Sequence, residues 1–166
     1  MAGATAFLQR RRAPSPRAAH GTDAAAARPH AAGGMPRFLS ATPPRQAVDD
    51  VAMSGVPGGG ERLPHLARLE EAFGNRHDLS SIRAHQGNAP ADACDTLGAE
   101  AYATGSSIAF RSAPSLWLTA HEAAHVMQHR HGLGPADAFD AADAPLERQA
   151  SAIADRVVAG RSAKDL

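Results

Sequence analysis

The stretch LTAHEAAHVMQHRHG, Leu118 to Gly132, limits what this chain can become more than any other. Leu118, Ala120, Ala123, Ala124, Val126 and Met127 spread apolar groups around it, so a helix here is buried on nearly every side. Its centre nevertheless carries His121, Glu122 and His125, and polar groups taken out of water need partners. On a helix His121 and His125 lie one turn apart and project from the same face. Both imidazoles then reach one ion at about 2.0–2.1 Å, the distance Zn2+ takes to nitrogen. Glu122 is turned about 100° from His121, which places its carboxylate beside the ion instead of on it. There it can take a proton from an activated water and pass it to a leaving amine. The pattern is that of a zinc peptidase with Glu122 as catalytic base.

Such a site needs a third protein ligand, and two residues qualify. His131 stands ten residues after His121, as in a metzincin, but that arrangement also needs a glycine where this chain has Gln128 and a later methionine turn. No Met follows Met127. Glu147, beside the apolar stripe of a second helix, is the gluzincin solution and is favoured, leaving His129 and His131 solvated.

The 166 residues suffice for one ordinary domain with a tail. Formal net charge is zero, so no overall field points to nucleic acid or an anionic membrane. The sole cysteine, Cys94, excludes an internal disulfide and reads as a small buried hydrophobe. The opening MAGATAFLQRRR places its basic residues after the apolar ones, so no secretory leader is expected. No segment approaches the roughly 18 apolar residues of a membrane span.

Residues 1–61 are rich in Ala, Pro, Gly and Arg and are expected to be a disordered tail. Within it Arg10, Arg11 and Arg12 read as solvated, and Phe38 and Leu39 as a possible local dock. From Leu63 the texture turns periodic, predicting a domain over 62–160 and a short tail over 161–166. LPHLARLEEAFG predicts a short helix stopped by Gly74, Ile82–His85 a strand, and PADACDTLGAEA a helix packing Cys94 and Leu97. AYATGSSIAF alternates about Gly105–Ser106 as a hairpin does, and Ser107–Phe110 is a candidate edge strand for an extended substrate. Ser115 caps the histidine helix, and a last helix runs from Pro145 to Gly160 after a loop through Gly134 and Pro135.

The segments AFGNRHDLSSIRAHQG, LGAEAYATGSSIAF, LTAHEAAHVMQHR and PLERQASAIADRVVAG, in this order, resemble the core domain of extracellular contractile injection system (eCIS) cargo proteins. That bacterial domain is described as a zinc metallopeptidase. The resemblance implies His121 and His125 as zinc ligands, Glu147 as the third, and Glu122 as catalytic base. It also draws in His85, in IRAH, either as a structural histidine or in substrate binding. One position departs: the family continues Glu-x-x-Ala-Asp, whereas ERQAS has Ser151 in place of a carboxylate that typically supports a ligand histidine.

The expected fold is α+β, mostly α and zincin-like, with a small hairpin. The expected function is zinc-dependent hydrolysis of a peptide or protein substrate, in association with injection-system components. The alternative is a non-catalytic packing or loading module of the same system. A cytoplasmic location before delivery, without nucleic acid, completes the expectation.

Overall fold

The computed structural model describes residues 6–10, 45–74, 76–133 and 144–164. In chain order these form β1 (Ala6–Arg10), α1 (Arg45–Ser54), β2 (Glu61–Arg62), α2 (Leu66–Phe73), β3 (Arg83–His85), α3 (Asn88–Leu97), β4 (Ala99–Thr104), β5 (Ser107–Phe110), α4 (Leu116–Arg130) and α5 (Ala144–Val158). The strands make one sheet in the order β1-β4-β5-β3-β2. β3 and β5 run parallel, and the other pairs are antiparallel.

Because side chains alternate across a strand, the sheet has two different faces. Ala84, Ala101, Ala103, Ile108 and Phe110 point to one side, into a core shared with α2, α4 and α5. Tyr102 and Ala109 point to the other, against Ala52 of α1 and Ala93 and Cys94 of α3. The result is a mixed α/β arrangement of three layers, with α4 in the larger core. Each fully buried side chain of the size of Ile82, Ile108 or Phe110 contributes about 1.5–3 kcal/mol from leaving water.

Ser115 caps α4 by accepting from the Leu118 N–H at 3.1 Å. Leu66, Leu69, Ala72 and Phe73 form the buried stripe of α2, which stops at Gly74. At its far end α4 is tied down by Arg130, which donates to the Asp78 carbonyl and to the hydroxyls of Ser81 and Ser106. Among the described residues no helix is long and apolar enough to cross a membrane.

Three expectations need correction. The sheet is larger than a hairpin: the strand expected at Ile82–His85 joins it as β3 beside β5, and β1 and β2, which are short and carry little alternation of their own, add its two edges. β5 is an inner strand between β4 and β3, so its backbone is already paired and offers no free edge. Within the tail expected over 1–61, Ala6–Arg10 pairs with β4 and Arg45–Ser54 is helical, while 1–5 and 11–44, including Phe38 and Leu39, lie outside the described residues. Helix α1 is held because Val48 and Ala52 are buried and the Tyr102 hydroxyl donates to the Ala52 carbonyl at 2.8 Å. Gly55 follows it because a Cβ there would meet the Tyr102 oxygen at 2.1 Å. After α5, Ala163 is buried and its N–H donates to the Ala72 carbonyl, so the chain through 164 lies against α2. The loop through Gly134 and Pro135 lies outside the described residues.

Candidate metal centre

Ten consecutive residues of α4, Thr119 to Gln128, are buried. Alanines at 120, 123 and 124 on α4, and at 150 and 154 on α5, have almost no exposed surface, and their small side chains let the two backbones approach closely. That approach brings the start of α5 over the histidines. His121 Nε2 lies 3.0 Å from His125 Nε2, 3.4 Å from one Glu147 oxygen, and the second Glu147 oxygen is 3.3 Å from His125 Nε2. One donor atom from each of the three residues falls within 4.8 Å of the others, and among the described residues this is the one such group of His, Cys, Asp and Glu. The three can hold a metal ion.

Their surroundings differ. His121 and His125 are buried, whereas the Glu147 side chain keeps 38 % of its surface exposed. Burial lowers the basicity of His121, which favours the neutral ring that a metal ligand must be. Burial would raise the Glu147 carboxyl, but its close contacts with the His121 and His125 rings outweigh it and hold the group at about 2. Trp117 stacks on His121 with ring centroids 5.0 Å apart, and its indole N–H donates to Asp155 of α5 at 2.8 Å. The other nitrogen of His121, Nδ1, is buried without a hydrogen-bond partner. Ser151 therefore does not support it, although Ser151 stands one turn after Glu147.

Glu122 has no exposed surface, and neither of its carboxylate oxygens has a hydrogen-bond partner. Burial first, and the charge of Glu147 second, push its pKa well above the ordinary carboxylate value. A carboxyl in that state holds a proton more tightly than a solvated one and makes no hydrogen bond in return, a combination that clusters at functional sites.

The other candidates fall elsewhere. His131 is exposed, and its ring donates to the Met127 carbonyl at 2.7 Å while standing edge-on to His77. His129 is exposed as well. The helix runs unbroken through Gln128, so the chain does not turn back to bring His131 to the site. His85 is next to Ala84 on β3, and alternation turns it to the face of the sheet opposite α4. There it is buried, 3.3 Å from the Ser107 hydroxyl, and desolvation lowers its pKa. It packs beneath Gly60, where a Cβ would meet its Nε2 at 2.8 Å.

Sequence reasoning missed Gln128 and Asp155. Gln128 is a polar residue in the buried part of a helix, three residues after His125, and that combination was the available signal. Asp155, eight residues after Glu147 on α5, carried none.

Residues 63–133 match the family model of the eCIS core domain. This chain carries an eCIS core domain. The match takes in α2, the sheet strands β3 to β5 and the whole histidine helix, so the His121–Glu122–His125 triplet belongs to the eCIS core domain, whereas Glu147 comes from beyond it. No curated protein and no solved structure matches the chain.

Proposed function

We propose that this domain is a zinc-dependent metallopeptidase of the gluzincin type, with a zincin-like core, acting on peptide bonds in association with an extracellular contractile injection system. The observation that carries the reading is the convergence of His121, His125 and Glu147 from two helices, with the unpartnered Glu122 beside them. Two ligands at the zinc distance and a tetrahedral angle stand about 3.3 Å apart. The two histidine nitrogens are 3.0 Å apart, one Glu147 oxygen is 3.4 Å from His121 and the other 3.3 Å from His125, and one donor atom from each residue lies within 4.8 Å of the others, close enough for the three to close on one ion. Two imidazoles and one carboxylate also leave a fourth position open, as catalytic zinc requires.

When bound, zinc would supply a Lewis acid and a more acidic water. His121 and His125 would hold it through Nε2 and Glu147 through its carboxylate. Trp117, anchored on Asp155, keeps the His121 ring in place. Glu122, with its raised proton affinity, would take a proton from the attacking water at its ionised carboxylate and hand it to the leaving amine nitrogen. The eCIS core match supports the association with injection-system components.

A second reading, the non-catalytic packing or loading module, is favoured by one observation. Glu122 has no exposed surface, so water and substrate reach it only when the site opens. Elemental analysis of the purified protein, run beside a generic peptide-cleavage assay on wild type and Glu122→Gln, separates the two. The peptidase predicts zinc in both proteins and cleavage by wild type alone, because Glu122 is not a ligand. Zinc without cleavage by either would establish the module, and cleavage by the Gln variant would remove the mechanism.

A further inference from the structure

Gln128 makes three side-chain hydrogen bonds, and together they join the two halves of the centre. Its Oε1 is 2.8 Å from His125 Nδ1, and its Nε2 donates to the Leu146 carbonyl and to Gln149 Oε1, both at 3.0 Å. The residue is 5 % exposed, so its own amide has little water as a substitute for these partners. A backbone carbonyl can only accept. The Leu146 carbonyl therefore fixes which end of the Gln128 amide faces α5, and so turns the amide oxygen toward His125. An amide oxygen can also only accept, so His125 must carry its proton on Nδ1. In the neutral ring the lone pair is then on Nε2, which stands 3.0 Å from His121 Nε2 and 3.3 Å from a Glu147 oxygen.

We propose that Gln128 is a positioning residue for this centre: it sets the tautomer of His125 for ligation through Nε2 and, through Leu146, holds the first turn of α5 so that the adjacent Glu147 meets the histidines. The support is unequal between the two rings. His125 is oriented through its far nitrogen, while His121 has no partner there and relies on the stack with Trp117. A backbone carbonyl at the start of one helix thus decides which nitrogen of a histidine on another is free to bind metal.

The inference rests on the metal-binding reading for its affinity readout alone; the tautomer readout stands without metal. In metal-free protein labelled with 15N in its imidazoles, long-range nitrogen–proton correlation reports the tautomer of His125. Wild type is expected to show the proton on Nδ1. Gln128→Met, which keeps the volume and removes the amide, should abolish that preference and weaken zinc binding, measured by chelator competition, by roughly 10–100-fold. Gln128→Glu keeps an acceptor for His125 but loses both donors to α5, so it should restore the tautomer while still binding zinc less tightly than wild type. It also serves if the Met variant does not fold. An unchanged His125 tautomer in Gln128→Met, or wild-type zinc affinity in both variants, would overturn the proposal. Wild type that holds no zinc would sink the metallopeptidase reading instead, and the tautomer result would then decide the role of Gln128.

Discussion

Replacing Glu122 by methionine should make the metal-free protein more stable, although it destroys the proposed base. The carboxyl is fully buried and both its oxygens lack partners. A buried polar group left unsatisfied costs about 1–3 kcal/mol. Methionine has nearly the same length, fills irregular space and asks for no hydrogen bond. The gain should therefore be about 1–3 kcal/mol, or several degrees in the unfolding midpoint of a domain of this size. Its pH dependence has a definite sign. Burial raises the Glu122 pKa above its ordinary 4.5, so the folded state holds the proton more tightly than the unfolded chain does. That tighter hold stabilises the fold in full below the ordinary value and is lost, at about 1.4 kcal/mol per pH unit, as pH rises toward the folded value. Wild type should thus fall behind the methionine variant as pH rises. The assay is urea unfolding followed by circular dichroism in the presence of a chelator, from about pH 4 to about pH 8. A variant less stable than wild type at the upper end, or a gap that does not grow with pH, would refute the reasoning.

Glu147→Ala should lower zinc affinity by more than the roughly 10–100-fold that a supporting residue is worth, while His131→Ala, whose ring is committed to the Met127 carbonyl, should leave it near wild type by chelator competition. The reverse pattern would make His131 the ligand. Ser151→Asp offers an acceptor one turn after Glu147 to the unpartnered His121 Nδ1 and should tighten zinc binding by up to about tenfold; no change would mean that the stack with Trp117 already suffices. Tyr102→Phe removes the hydroxyl bonded to the Ala52 carbonyl and should cost about 1 kcal/mol in urea unfolding, with amide exchange accelerated first in α1. Unchanged exchange across Arg45–Ser54 would show that α1 is held by its apolar contacts alone.

The His121–Glu122–His125 triplet, its helical spacing, the cap at Ser115 and the stop at Gly74 were all legible in the sequence. They are local features, set by the geometry of a helix and by which backbone groups its ends leave unpaired. That Glu147, and not His131, stands beside the two histidines could be read as well, because an unbroken helix through Gln128 cannot bring back a residue three positions on. Pairing lay beyond the sequence. A two-residue strand such as β2, a first strand drawn from an Ala- and Arg-rich segment, and a helix α1 held by Tyr102 some fifty residues away have no periodic signature, because the groups that stabilise them are distant in the chain. Pairing also decided that His85 faces away from α4, since a strand sends neighbouring residues to opposite sides and only the sheet says which side is which. The orientation of His125 was likewise set in three dimensions: Gln128 can choose the histidine's free nitrogen only because the packing of α5 on α4 brings the Leu146 carbonyl to its amide.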